Sequence, residues 1–113
     1  MSRTREAAET SAALARLVGV GNNAKAYDSI TDMIADPDIH ALWICSPNFS
    51  RIEAMEEIAH AIKTGKGKLI GIACEKPLGR NVAEARTMLK LAKETNLLDG
   101  YLENEVFAPS ITR

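Results

Sequence analysis

A chain of 113 residues, 46% hydrophobic and 26% charged, has average globular usage and the length of one domain, which sets aside the disordered, collagen-like and membrane classes. Its 14 basic and 15 acidic residues leave a net charge of -1 with no basic stripe or polybasic face, so neither nucleic acid nor a membrane surface is expected as a partner. The longest apolar runs fall far short of a bilayer span and the opening Met1-Ser2-Arg3-Thr4-Arg5-Glu6 has no apolar signal core, so a cytoplasmic location is expected.

From the N-terminus, Ala7, Leu14, Leu17 and Val18 keep helical spacing over about Arg3 to Leu17, and Gly19 stands where helices commonly end in the left-handed region. Gly21-Asn22-Asn23 is turn chemistry, and Ala24-Lys25-Ala26-Tyr27 is long enough only for an edge strand. Asp28 or Ser29 caps a short helix carrying Ile30, Met33 and Ile34, which Pro37 closes. Ala41 to Cys45 is a continuous apolar run, the pattern of a strand buried on both faces of a parallel sheet, which places Trp43 in the core. It ends in Ser46-Pro47-Asn48.

Ser50 then caps a helix whose buried stripe is Ile52, Met55, Ile58, Ala59 and Ile62, with Thr64 to Lys68 as its exit loop. Leu69 to Cys74 is a second apolar strand, ending directly in Glu75-Lys76-Pro77. Asn81-Val82-Ala83-Glu84 resembles a capping box, and Val82, Ala85, Leu89 and Ala92 predict the buried stripe of a helix that ends near Asn96. Leu97 to Leu102 is a third strand.

Strands alternating with helices of about a dozen residues predict an α/β fold: a doubly wound, mostly parallel, Rossmann-like sheet with helices on both faces. In such sheets ligands bind beyond the carboxyl ends of the strands, where helix N-termini and backbone groups converge. Ser46-Pro47-Asn48 and Glu75-Lys76-Pro77 are therefore expected on one rim, where a ligand would lie. Cys45 and Cys74 read as buried thiols, and His40 and His60 as surface residues; no metal-ligand spacing joins them. Gly19-Val20-Gly21-Asn22-Asn23-Ala24 fits the dinucleotide pattern as text, but it follows a helix rather than a strand and is a helix terminator.

Three segments together carry a resemblance: Ala35 to Asn48, Cys74-Glu75-Lys76-Pro77-Leu78 followed by Val82-Ala83-Glu84-Ala85, and Gly100-Tyr101-Leu102-Glu103-Asn104 with Phe107 and Pro109. In order and spacing they resemble the nucleotide-binding domain of the Gfo/Idh/MocA oxidoreductases, over nearly the whole chain. The resemblance implies an NAD(P)-dependent dehydrogenase that transfers a hydride between a nicotinamide cofactor and a sugar, cyclitol or similar polyol, working as a homo-oligomer. It implies that Lys76 is the catalytic residue, reaching the reacting substrate oxygen. Cys45, Ser46, Pro47 and Asn48 would border the cofactor, Glu75 would face it or orient Lys76, Pro77 would fix the turn, and Asn104 would lie near the interdomain cleft. Ser2 and Arg3 would meet the ribose, where Ser-Arg suits a 2′-phosphate; the cofactor is NADP or NAD, with a lean to NADP.

Against that family the chain lacks the first strand, Gly-rich loop and helix, and stops soon after Pro109. The expectation is a fragment: residues 1–103 form a partial NAD(P)-binding Rossmann domain, and 104–113 begin a linker into an absent C-terminal substrate domain. Such a piece alone is expected to be inactive. Arg51 stands where many members carry histidine. Two other readings remain: a non-catalytic member that binds a nicotinamide nucleotide or a partner protein, and a receiver-like signalling domain. The receiver reading needs an acidic pair at strand ends, where this chain has Ser-Pro-Asn.

Overall fold

The computed structural model describes residues 4–107. In chain order these form α1 (Arg5–Leu17), α2 (Ile30–Ala35), β1 (Ala41–Ile44), α3 (Arg51–Lys63), β2 (Gly71–Glu75), α4 (Val82–Glu94) and β3 (Leu98–Leu102), with single 3-10 turns at Asn48–Ser50 and Glu105–Phe107. The strands make a 3-stranded parallel sheet in the order β1-β2-β3, with Ile44 opposite Cys74 and Glu75 opposite Leu102. The expected parallel, Rossmann-like α/β order is what the chain adopts.

Side-chain chemistry sets the helix ends. Thr4, Ser29 and Asn81 each accept a hydrogen bond from the backbone N–H three residues on, satisfying an orphan donor of α1, α2 and α4. Glu84 bonds the N–H of Arg80, one residue short of the capping-box partner. Gly19 (φ 75) and Gly65 (φ 72) take the left-handed conformation that closes α1 and α3, as Gly19 was expected to do. Ser50 is not the expected side-chain cap: its hydroxyl bonds the Pro47 carbonyl, and the turn at Asn48–Ser50 runs straight into α3.

The core lies between the sheet and the layer formed by α2, α3 and α4, and is built from Ile30, Ile34, Ile44, Met55, Ile58, Ala61, Ile72, Cys74, Met88, Ala92 and Leu97. A consecutive strand order with crossovers of one hand delivers α3 and α4 to the same face. A second helical layer requires a reversal of strand order, which the described residues do not contain. Among the described residues nothing covers the opposite face, where Trp43 is 60% exposed and Leu98 72% exposed.

Four expectations change accordingly. Trp43 is not core, because its register position beside Ala73 and Gly100 puts it on the uncovered face. Cys45 is exposed, two residues on from Trp43 and so on the same side, whereas Cys74 is buried. The stripe of α4 is Met88 and Ala92, with Val82 and Leu89 outside, because the helix turns toward α3 as well as the sheet. Finally, Ala24 to Tyr27 is not a strand: no described strand lies beside it, and its polar groups bond α1 and the α2–β1 loop instead, through Arg16 to the Ala24 carbonyl and through Lys25 and Tyr27 to Asp36.

Candidate functional site at the carboxyl rim

Parallel pairing aligns the strand exits. β1 stops at Ile44, opposite Cys74, so Cys45-Ser46-Pro47-Asn48 leaves the sheet beside Glu75-Lys76-Pro77. β3 stops at Leu102, opposite Glu75, and Asn104 follows two residues later at the same rim. Eight of the sequence-predicted site residues are thus brought to one edge: Cys45, Ser46, Pro47, Asn48, Glu75, Lys76, Pro77 and Asn104. Ser2 and Arg3 lie outside the described residues.

The rim presents mixed chemistry. Lys76, Pro77 and Asn104 are exposed, while Ser46, Asn48 and Glu75 are half-buried. Glu75 accepts a hydrogen bond from the Lys76 N–H at 3.3 Å, and the Lys76–Pro77 peptide bond is cis. Among the described residues the Lys76 ammonium has no hydrogen-bond or ion-pair partner. Ser46 Oγ is buried and unpartnered, an orphaned polar atom of the kind that marks either a missing ligand or water.

The two turns are joined by a residue the sequence marked only as a departure. Arg51, at the first position of α3, is 5% exposed. Its Nε donates to the Ser46 carbonyl at 2.7 Å, and its Nη1 donates to the carbonyls of Glu75, at 2.5 Å, and Pro77. Under this turn, burial pushes the Cys74 thiol up, with the nearby Arg51 charge opposing the shift. In sequence Arg51 is only a basic residue between Ser50 and Ile52 at a helix start; two of its three acceptors lie 24 and 26 residues away.

A cleft of about 440 Å³ lies away from the rim, between α1 and the Lys25–Tyr27 segment, with Ala8, Ser11, Ala12 and Met33 in its wall. Two of its polar groups, Lys25 and Tyr27, are already paired with Asp36, and no strand exit opens into it. The polar groups the rim presents, a carboxamide and an ammonium, fit the carboxamide and ribose hydroxyls of a nicotinamide nucleoside. No Gly-rich strand-to-helix turn for a pyrophosphate occurs among the described residues.

Known proteins resemble the chain in sequence and in fold. The profile of the Gfo/Idh/MocA oxidoreductase family, with an NAD-binding Rossmann fold, matches residues 3–100. A 1,5-anhydro-D-fructose reductase from Ensifer adhaerens is 33% identical over 93 residues, covering 82% of this chain and 25% of the relative. A levoglucosan dehydrogenase from Pseudarthrobacter phenanthrenivorans is 36% identical over 90 residues, covering 80% of this chain and 20% of the relative. Among solved structures, a levoglucosan dehydrogenase in complex with NADH and levoglucosan superposes with a TM-score of 0.69 at 28% identity, covering 97% of this chain and 26% of that one. An NAD binding oxidoreductase from Klebsiella pneumoniae gives a TM-score of 0.69 at 26% identity, covering 98% and 26%. The chain spans a quarter or less of the length of these curated relatives. It belongs to the Gfo/Idh/MocA oxidoreductase family.

Proposed function

We propose, from that membership, that the whole protein is an NAD(P)-dependent oxidoreductase of a sugar, cyclitol or similar polyol, and that this chain supplies its nicotinamide rim. The observation that carries the reading is the side-by-side exit of Ser46-Pro47-Asn48 and Glu75-Lys76-Pro77 at the carboxyl edge of a parallel sheet. Sugar-active relatives, one of them with NADH and levoglucosan bound, support the substrate class.

In this reading Lys76 hydrogen-bonds the oxygen of the reacting carbon. An ammonium there holds the substrate in line and stabilises negative charge as the oxygen becomes alkoxide-like. Its exposure, and the lack of a partner for its ammonium among the described residues, leave it available for a substrate. Asn48 holds the nicotinamide end of the cofactor through its carboxamide, Cys45, Ser46 and Pro47 complete that wall, and Glu75 keeps the Lys76 backbone in place. Pro77 shapes the turn, and Asn104 closes the third side of the rim. When bound, the dinucleotide supplies or accepts the hydride.

The cofactor form rests on Ser2 and Arg3, which suit a 2′-phosphate and favour NADP. Fluorescence titration of the full-length protein with NADPH and NADH tests both statements. Saturable binding of both with NADPH tighter is expected, followed by turnover with levoglucosan or a related sugar. Tighter NADH binding removes the NADP preference, and binding of neither removes the oxidoreductase reading.

A further inference from the structure

We infer that Arg51 is a positioning residue of this site, the bridge that fixes the Lys76 turn against the Ser46-Pro47-Asn48 turn; the inference rests on the proposed rim. Its three acceptors are all backbone carbonyls: Ser46 on one turn, Glu75 and Pro77 on the other. Glu75 and Pro77 immediately flank Lys76, so the main chain on each side of that lysine is tied to one guanidinium. Among the described residues no carboxylate is its partner.

The location makes a purely local role implausible on physical grounds. A cation at the first position of a helix opposes the macrodipole, which favours anions there. Burial to 5% exposure adds a desolvation cost. Both costs are offset only by the three carbonyl bonds, which span 5, 24 and 26 residues of sequence. The planar fork of arginine suits this geometry, because Nε and Nη1 point to different acceptors at fixed spacing. Histidine has two ring nitrogens and cannot serve three carbonyls at once; lysine has three donors on a single atom and cannot span the two turns equally well.

The test compares Arg51→Met and Arg51→Lys with wild type in the full-length protein. Hydrogen exchange is read in peptides covering residues 45–50 and 74–80, beside reduced-cofactor affinity and steady-state turnover. For Arg51→Met, exchange in both segments rises together by about tenfold or more, as loss of charge-assisted bonds implies, while the rest of the chain keeps its protection. Turnover falls roughly 10²-fold, the scale of a misplaced catalytic group, with cofactor affinity little changed. Arg51→Lys recovers part of both effects, and it carries the comparison if Arg51→Met does not fold. Wild-type exchange in the two segments, or a uniform rise throughout the chain with lysine no better than methionine, overturns the bridge. A wild-type enzyme without turnover refutes the oxidoreductase reading alone, since paired exchange still reads the bridge.

Discussion

Replacing Lys76 with alanine separates chemistry from folding. The side chain is exposed and, among the described residues, has no hydrogen bond or salt bridge to lose. Surface changes of that kind stay within about 0.5 kcal/mol, so the melting temperature of the variant is expected to match wild type. Turnover is another matter. Removing a positioned proton donor from the reacting oxygen typically costs about 10²–10⁴-fold, and at about 1.36 kcal/mol per decade this raises the barrier by roughly 3–5 kcal/mol. The assay follows reduced-nicotinamide absorbance during sugar turnover by the full-length protein, beside a cofactor titration and a thermal melt. Lys76→Arg keeps the charge but not the compact donor, and is expected to stay well below wild type. Wild-type turnover in Lys76→Ala refutes the role assigned to the ammonium; a loss of melting temperature large enough to explain the lost activity would instead make Lys76 structural.

The Asp36 carboxyl is held well below the usual carboxylate range by the Lys25 ammonium, the Asp38 backbone N–H and the Tyr27 hydroxyl. A depressed folded-state value means its stabilising share is present above about pH 4 and lost as pH falls further, so urea midpoints at about pH 3 and pH 7 should differ less in Asp36→Asn than in wild type; parallel curves would contradict this. A Cβ at Gly67 would run into the Ile34 carbonyl, a backbone group, so Gly67→Ala should cost about 1–3 kcal/mol or more in denaturant unfolding, and an unchanged midpoint would show that the Ile34 backbone yields. Trp43, 60% exposed, should be readily quenched by acrylamide in the 113-residue chain, and Trp43→Ala should fall short of the about 3–5 kcal/mol that a buried aromatic costs.

Local chemistry made most of the element order legible. Two caps, Ser29 and Asn81, a left-handed glycine and two apolar runs bounded by polar turns are read from neighbours in sequence, and α1, α2, α4, β1, β2 and β3 formed close to where the sequence signals stand. Parallel pairing then followed from alternation alone, and with it the shared rim of the two polar turns. What periodicity did not carry was which faces are covered. Ala41 to Ile44 is apolar throughout, yet only Ile44 is buried, because coverage depends on where distant elements land. The same reasoning misplaced Trp43 and Cys45, and treated Ala24 to Tyr27 as a strand when a ladder requires a partner that the described residues do not provide.

Arg51 shows the same boundary from the side of function. In sequence it is one basic residue at a helix start, with Glu53, Glu56 and Glu57 following but none at the i+3 or i+4 spacing that pairs on a helix. In space its acceptors are carbonyls from turns 24 and 26 residues away and from the turn that precedes its own helix. Backbone acceptors leave no trace in composition, charge balance or motif spacing, since every residue carries one. A buried cation at a helix start, without an acid to answer it, is the available clue: the costs of burial and of the helix dipole require compensating partners somewhere in the fold. Lys76 is the converse case, conspicuous by motif while its ammonium, among the described residues, makes no bond. Arg51 ties the main chain on both sides of that lysine, so the turn from which its side chain projects is fixed by bonds the lysine itself does not make.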